Sequence, residues 1–95
     1  MILMEVRYTM KRFGADDFLD NVAPYAAMSR SEEGNYMYDY FIDTTDDDTV
    51  LLLEKWENDE VLAAHCASDH FKKIGEIKEK YVAETAINKY YIEEK

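Results

Sequence analysis

An α+β fold with the element order βαββαβ is predicted by three observations. Period-two alternation marks both ends of the chain, a strand–turn–strand pattern occupies residues 35–57, and apolar stripes at helical spacing lie between them. Ninety-five residues suit one domain, and residues 1–95 are expected to form it. A chain of this length buries about 65% of its unfolded surface, enough for one modest core. Apolar residues make up 47% of the sequence, with one Pro and three Gly, which excludes disordered and collagen-like chains.

In the first segment Ile2, Met4, Val6, Tyr8 and Met10 alternate with Leu3, Glu5, Arg7 and Thr9, the mark of a half-buried strand. Gly14 breaks it, and Asp16 and Asp17 supply the acids of a helix start. Phe18, Leu19, Val22, Ala26 and Ser29 then follow as one helix face. Pro24 lies inside that helix and should kink it, because its ring clashes with the carbonyl four residues back. Ser31-Glu-Glu-Gly34 ends the helix, with Gly34 able to take a positive φ. Residues 35–43 read as a second strand, with Tyr36, Tyr38 and Tyr40 on one face and Met37 and Phe41 on the other. The acidic turn Thr44-Thr-Asp-Asp-Asp48 leads into a third strand at 49–57. Asn58 or Asp59 caps a short helix through Cys66, and Ser68 or Asp69 caps a second with a stripe of His70, Ile74, Ile77 and Tyr81. Residues 83–92 alternate again as the last strand.

This order is the ferredoxin-like split βαβ unit, an antiparallel sheet with helices on one face. Leu51 and Leu53 point away from Val50, Leu52, Glu54 and Trp56, yet both sets are strongly apolar. Two helical segments can cover one face only. A bare apolar sheet face is a liability for a monomer. A second copy packed face to face removes it, so a homodimer is expected.

Acidic residues outnumber basic ones by 21 to 11, a formal charge of −10. A duplex-binding surface needs a cationic face, and only Lys72-Lys73 and Lys78-x-Lys80 cluster at all. Neither nucleic acid nor an anionic membrane is therefore an expected partner. No apolar run exceeds four residues, so no membrane span is expected, and the first residues lack the basic and apolar regions of a signal peptide. The single cysteine, Cys66, cannot form an internal disulfide. A cytoplasmic protein is the resulting expectation.

The chemically informative stretch is Leu53-Glu-Lys-Trp56, then His65, then His70-Phe71. Glu54 and Trp56 share a strand face with Val50 and Leu52, where a carboxylate is partly desolvated and tuned toward proton transfer. His65 follows Leu62 and Val61 by three and four residues, on the apolar side of its helix, and His70 opens the next helix on its stripe. If the helices cover the Glu54 face, two imidazoles, a carboxylate, an indole and several tyrosines converge. Plainer readings stay open here: Glu54 as a structural acid held by helix amides, either histidine as a packing residue, Trp56 as core. A zinc reading of His65-Cys66-x-x-x-His70 is disfavoured, because adjacent ligands splay apart on a helix and the five-residue spacing does not match the i, i+4 of HExxH. No metal is expected. Cys66 is expected to be a buried, inert thiol. The Tyr36, Tyr38, Tyr40 ladder reads as cross-strand packing, although phenols would also suit an aromatic guest.

Glu32-Glu-Gly34, Tyr38, Leu53-Glu-Lys-Trp-Glu57, Ala64-His65 and Ser68-x-His70-Phe71 together resemble the antibiotic-biosynthesis monooxygenase family, its quinol monooxygenase-like members in particular. The resemblance runs along nearly the whole chain, and its E-x-W…H…H-F run is its most specific part. It implies a homodimer whose sheets form a central barrel, with a pocket in each subunit between sheet and helices. It also implies oxidation of anthrones or hydroquinones by O₂ without metal, flavin or haem. A haem-degrading branch uses a strand-1 Asn, a strand-3 Trp and a helical His. Trp56 matches that Trp, but Arg7 stands at the Asn and Gly75 at the His, which disfavours haem degradation. An isomerase branch takes a phosphorylated substrate, and a chain of charge −10 whose pocket strands offer mainly Arg7 suits it poorly.

The expected function is thus a cofactor-independent monooxygenase acting on a small aromatic hydroquinone- or anthrone-like substrate with O₂. His65 or His70 would be the base, because imidazole titrates near neutral pH, and Glu54 would orient a histidine or take the proton itself. Trp56, Tyr38, Phe71 and Arg7 would contact the substrate. The alternatives are a non-catalytic ligand-binding or stress-related dimer of the same fold, and the isomerase branch.

Overall fold

β1 (Ile2–Met10) is the spine of the sheet in this computed structural model, which describes residues 1–12 and 14–93. β3 (Thr49–Trp56) pairs with one side of it and β4 (Val82–Tyr91) with the other, both antiparallel. β2 (Asn35–Ile42) adds to β3, giving the order β2-β3-β1-β4. α1 (Ala15–Arg30) joins β1 to β2, while α2 (Asp59–Cys66) and α3 (Asp69–Tyr81) join β3 to β4. The chain has the ferredoxin-like βαββαβ arrangement, with its second helical segment divided in two.

The alternation in the sequence carries through to burial. Ile2, Val6, Tyr8 and Met10 are buried under the helices, and so are Val50, Leu52, Glu54 and Trp56 of β3. From α1, Phe18, Val22, Ala26 and Ser29 meet them, each without exposed surface. Ser29 can be there because its hydroxyl donates to the Tyr25 carbonyl at 3.1 Å. Phe18 sits among Tyr8, Tyr40 and Tyr81, with ring centroids 5.6, 5.9 and 6.4 Å away in edge-on contacts. Burying such a side chain contributes about 1.5–3 kcal/mol. α1 continues through Pro24 to Arg30, whose Nε donates to the Tyr38 carbonyl at 2.8 Å and ties the helix end to β2.

Asn58 caps α2 by accepting from the Val61 amide at 3.0 Å, and Ser68 caps α3 by accepting from the Phe71 amide at 3.2 Å. The Ser68 hydroxyl also donates to the His65 carbonyl at 2.6 Å, so one side chain ends α2 and starts α3.

Two local expectations are corrected. Asn35 faces Trp56 and Met37 faces Lys55, which leaves Tyr36 as the extra residue of a β-bulge. Tyr36 is therefore exposed and does not join Tyr38 and Tyr40 under the helices. Cys66 is exposed rather than buried, because it is the last residue of α2 and follows the inward-facing His65.

Among the described residues, no helix covers the opposite sheet face. Leu3, Leu51 and Leu53 are only half-buried there, and Phe41 and Tyr90 are exposed. β4 is exposed along almost its whole length, including Ile87 and Tyr91 on the helix side. No helix among the described residues is long and apolar enough to cross a membrane.

Gly34 fixes how the α1–β2 turn meets α2. Its φ is 82°, and a Cβ there would lie 2.8 Å from Val61 Cγ1. Its carbonyl accepts from the Glu57 amide at 2.8 Å. Both the backbone angle and the close approach require glycine. Gly34→Ala is expected to cost about 1–3 kcal/mol of stability, read as a lower urea midpoint. A midpoint equal to that of the wild type would show that the turn relaxes freely.

Candidate functional site

The inner face of β3 supplies the first half of the site. Trp56 is wholly buried and its Nε1 donates to Glu54 Oε1 at 2.9 Å. Glu54 lies between Met4 of β1 and Tyr38 of β2 in the sheet register, all three on the helix side. Burial pushes its carboxyl up to about 7, and Glu32 adds to the rise. The Trp56 hydrogen bond and the Lys78 ammonium offset part of it. Glu54 thus changes protonation close to neutral pH. Burial also raises the phenol of Tyr38 well above its usual value and that of Tyr40 to about 12, so both stay neutral donors.

α2 and α3 supply the second half. His65 is 2% exposed and stacks on Trp56, with centroids 4.6 Å apart and planes tilted by 34°. Tyr38 and Phe71 meet it edge-on at 5.6 and 5.2 Å. Its Nδ1 lies 2.6 Å from Glu32 Oε2, a contact spanning 33 residues of sequence. His70 Nε2 lies 3.2 Å from the same oxygen but outside hydrogen-bonding geometry, and the two imidazole centroids are 5.8 Å apart. Burial pushes His65 below the usual imidazole value, the Glu32 hydrogen bond and charge pull it back, and His70 depresses it further.

Six of the seven residues proposed from sequence gather here or at the rim: Glu54, Trp56, Tyr38, His65, His70 and Phe71, the last 39% exposed. Arg7 does not. It is exposed on the opposite face, opposite Leu51 and Ala86, because strand alternation turns it away when Val6 and Tyr8 face the helices. The pairing of acid and base is also corrected: the carboxylate that touches both histidines is Glu32, whereas Glu54 is bonded to the indole. A turn carboxylate carries no periodicity, so the sequence marks Glu32 only through its place in the Glu-Glu-Gly motif.

The break at Ser68 lets His65 at the end of α2 and His70 at the start of α3 face the same carboxylate. Glu32 Oε2, His65 Nδ1 and His70 Nε2 all lie within 4.8 Å of one another, a donor set that could close on a metal ion.

A family model described as antibiotic biosynthesis monooxygenase matches residues 1–76. The chain belongs to that family. "Putative monooxygenase YcnE" of Bacillus subtilis (strain 168) is 31% identical over 72 residues, which are 76% of each chain. Among solved structures, a conserved protein of unknown function from Bacteroides thetaiotaomicron VPI-5482 is 32% identical with a TM-score of 0.83, covering 94% of both chains. PA3566 of Pseudomonas aeruginosa shares the fold at 22% identity and a TM-score of 0.88, over 98% of this chain and 94% of that one.

The two central titrations push stability in opposite directions. Glu54 gives up its proton near 4.5 in the unfolded chain and near 7 when folded. The native state therefore holds that proton more tightly, and stability falls as pH rises from about 4.5 to 7. His65 is depressed below 6.5 when folded, so its contribution is complete above 6.5 and is lost as pH falls. Glu54→Gln removes the first effect and keeps an oxygen for the indole N–H. Urea denaturation should find this variant more stable than wild type at pH 8 by up to about 3 kcal/mol, with the difference vanishing at about pH 4. A variant less stable than wild type at pH 8 would contradict the buried-acid account.

Proposed function

We propose that this chain, a single domain over residues 1–95, is a cofactor-independent oxygenase for small hydroquinone-like aromatics and works as a homodimer. The observation that carries the reading is the His65–Glu32 contact at 2.6 Å beneath a wall of aromatic rings. A carboxylate accepting from Nδ1–H fixes the tautomer and leaves Nε2 as the lone-pair nitrogen. Desolvation keeps that imidazole neutral and ready to accept a proton at pH 7. Phe71, on the rim and in edge contact with His65, is the ring a substrate would displace to reach the base.

Removal of a phenolic proton gives an electron-rich anion that can pass an electron to O₂ directly. Recombination forms a carbon–oxygen bond, and loss of water leaves a carbonyl. For a hydroquinone the balance is one quinol plus O₂ giving one hydroxyquinone plus water. The residues are asked for proton transfer, orientation and exclusion of bulk water. Glu54, near neutral in its titration, can return the proton that leaves with that water.

The bare sheet face supports the dimer. Leu51 and Leu53, with Phe41 and Tyr90 beside them, leave an apolar surface that a second copy would cover.

Oxygen uptake with a panel of naphtho- and benzohydroquinones tests the chemistry. His65→Ala should lower kcat by about 10²–10⁴, and Glu32→Gln should lower it less while shifting the pH profile. Dialysis against a chelator should leave the rate unchanged. A rate lost to chelator and restored by a divalent ion would make Glu32, His65 and His70 metal ligands instead, and no uptake across the panel would leave a ligand-binding role. Light scattering tests the assembly: twice the chain mass of 11.2 kDa is expected for wild type. Leu53→Asp should dissociate or unfold the pair, because it would bury an unpaired charge.

A further inference from the structure

α3 rests on the sheet through one buried residue, Ile74, and a cleft of about 260 Å³ opens between α3 and β4. Gly75, Lys78, Glu79, Val82 and Thr85 line it. Gly75 has no reason to be glycine within the chain itself. It sits in a helix interior, where glycine is unfavourable, yet a Cβ there would meet nothing within 4 Å. Lys78 is the one half-buried lysine of α3; Lys72, Lys73 and Lys80 are exposed. Its ammonium lies 5.1 Å from the Tyr8 ring centroid, within the field of Glu54.

Phe71, Gly75 and Lys78 are spaced i, i+4 and i+7, so they form one stripe along α3. That stripe runs about 10 Å, from the ring that covers His65, past bare backbone, to a cation. The length matches a two-ring aromatic with polar groups at its two ends. The cleft, at about 260 Å³, is smaller than the roughly 300 Å³ at which small-molecule pockets usually begin, which favours two rings over a polycyclic anthrone.

We propose that this cleft binds an anionic two-ring phenol, its acidic group paired with Lys78, its ring against Gly75 and its hydroxyl directed toward Phe71 and His65. This rests on the proposed oxygenase reading and narrows its substrate class to carboxylated or otherwise anionic aromatics. Glu79, on the exposed side of the cleft, repels an anion, so the selection falls to Lys78, the cation among the lining residues.

Equilibrium binding of 6-hydroxy-2-naphthoate and of 2-naphthol, by calorimetry, tests the inference without any turnover. Wild type should prefer the carboxylate by tenfold or more. Lys78→Met should narrow that preference to below about twofold, while Lys72→Met, on the exposed face, should leave it intact. Gly75→Leu should weaken the carboxylate tenfold or more with no fall in thermal midpoint, an outcome that a purely structural glycine would not produce. A preference that survives Lys78→Met, unchanged binding to Gly75→Leu, or no binding of either probe at millimolar concentration would each overturn it. Lys78-dependent binding without oxygen uptake from hydroquinones would keep the cleft and remove the oxygenase. Uptake with no carboxylate preference would do the reverse.

Discussion

The indole N–H of Trp56 is removed from water, and a buried donor must find an acceptor nearby or cost the fold its desolvation energy. Glu54, two residues earlier on the same face of β3, meets that demand at 2.9 Å. The solution has consequences. It draws a carboxylate under the helices, where burial shifts its titration toward neutrality. It holds the indole flat enough for His65 to stack on it. With His65 so placed, the turn after α1 delivers Glu32 to its Nδ1. Sheet register, helix docking and turn geometry therefore converge on one aromatic side chain.

Much of the architecture was legible because local patterns decide it. Alternation over Ile2 to Met10, the helix face from Phe18 to Ser29 and the caps at Asn58 and Ser68 each reflect geometry within a few residues of chain. The outward direction of Arg7 was legible in the same alternation; charge and the family resemblance had drawn it toward the pocket. What stayed hidden depends on packing between distant segments. The bulge at Tyr36 appears only once Asn35 and Met37 are paired with β3. The meeting of Glu32 with His65 needs the close approach of Gly34 to Val61, which no spacing rule announces.

Electrostatics in the interior run against the character of the whole. The chain is strongly acidic, yet its inner face holds Glu32 and Glu54 within reach of two imidazoles and one lysine. The Glu32 carboxylate adds to the rise that burial imposes on Glu54, while the indole and the lysine offset part of it. A carboxyl balanced in this way near neutral pH suits proton handling better than static structure, since small changes in surroundings shift its protonation.

The division between α2 and α3 at Ser68 has a consequence for how the site can vary. In one unbroken helix, residues five apart would point about 140° away from each other, and His65 and His70 could not share a carboxylate. The two-residue joint separates their relative direction from their distance along the chain. It is held by the Ser68 hydroxyl between the His65 carbonyl and the Phe71 amide, well away from the strand ladder. Substitutions at this joint would redirect His70 and Phe71 at the start of α3, while Ile74 and Tyr81 hold the rest of that helix against the core. One turn thus offers a route by which related sequences could reshape the mouth of the site while the packing of Ile74 and Tyr81 stays in place.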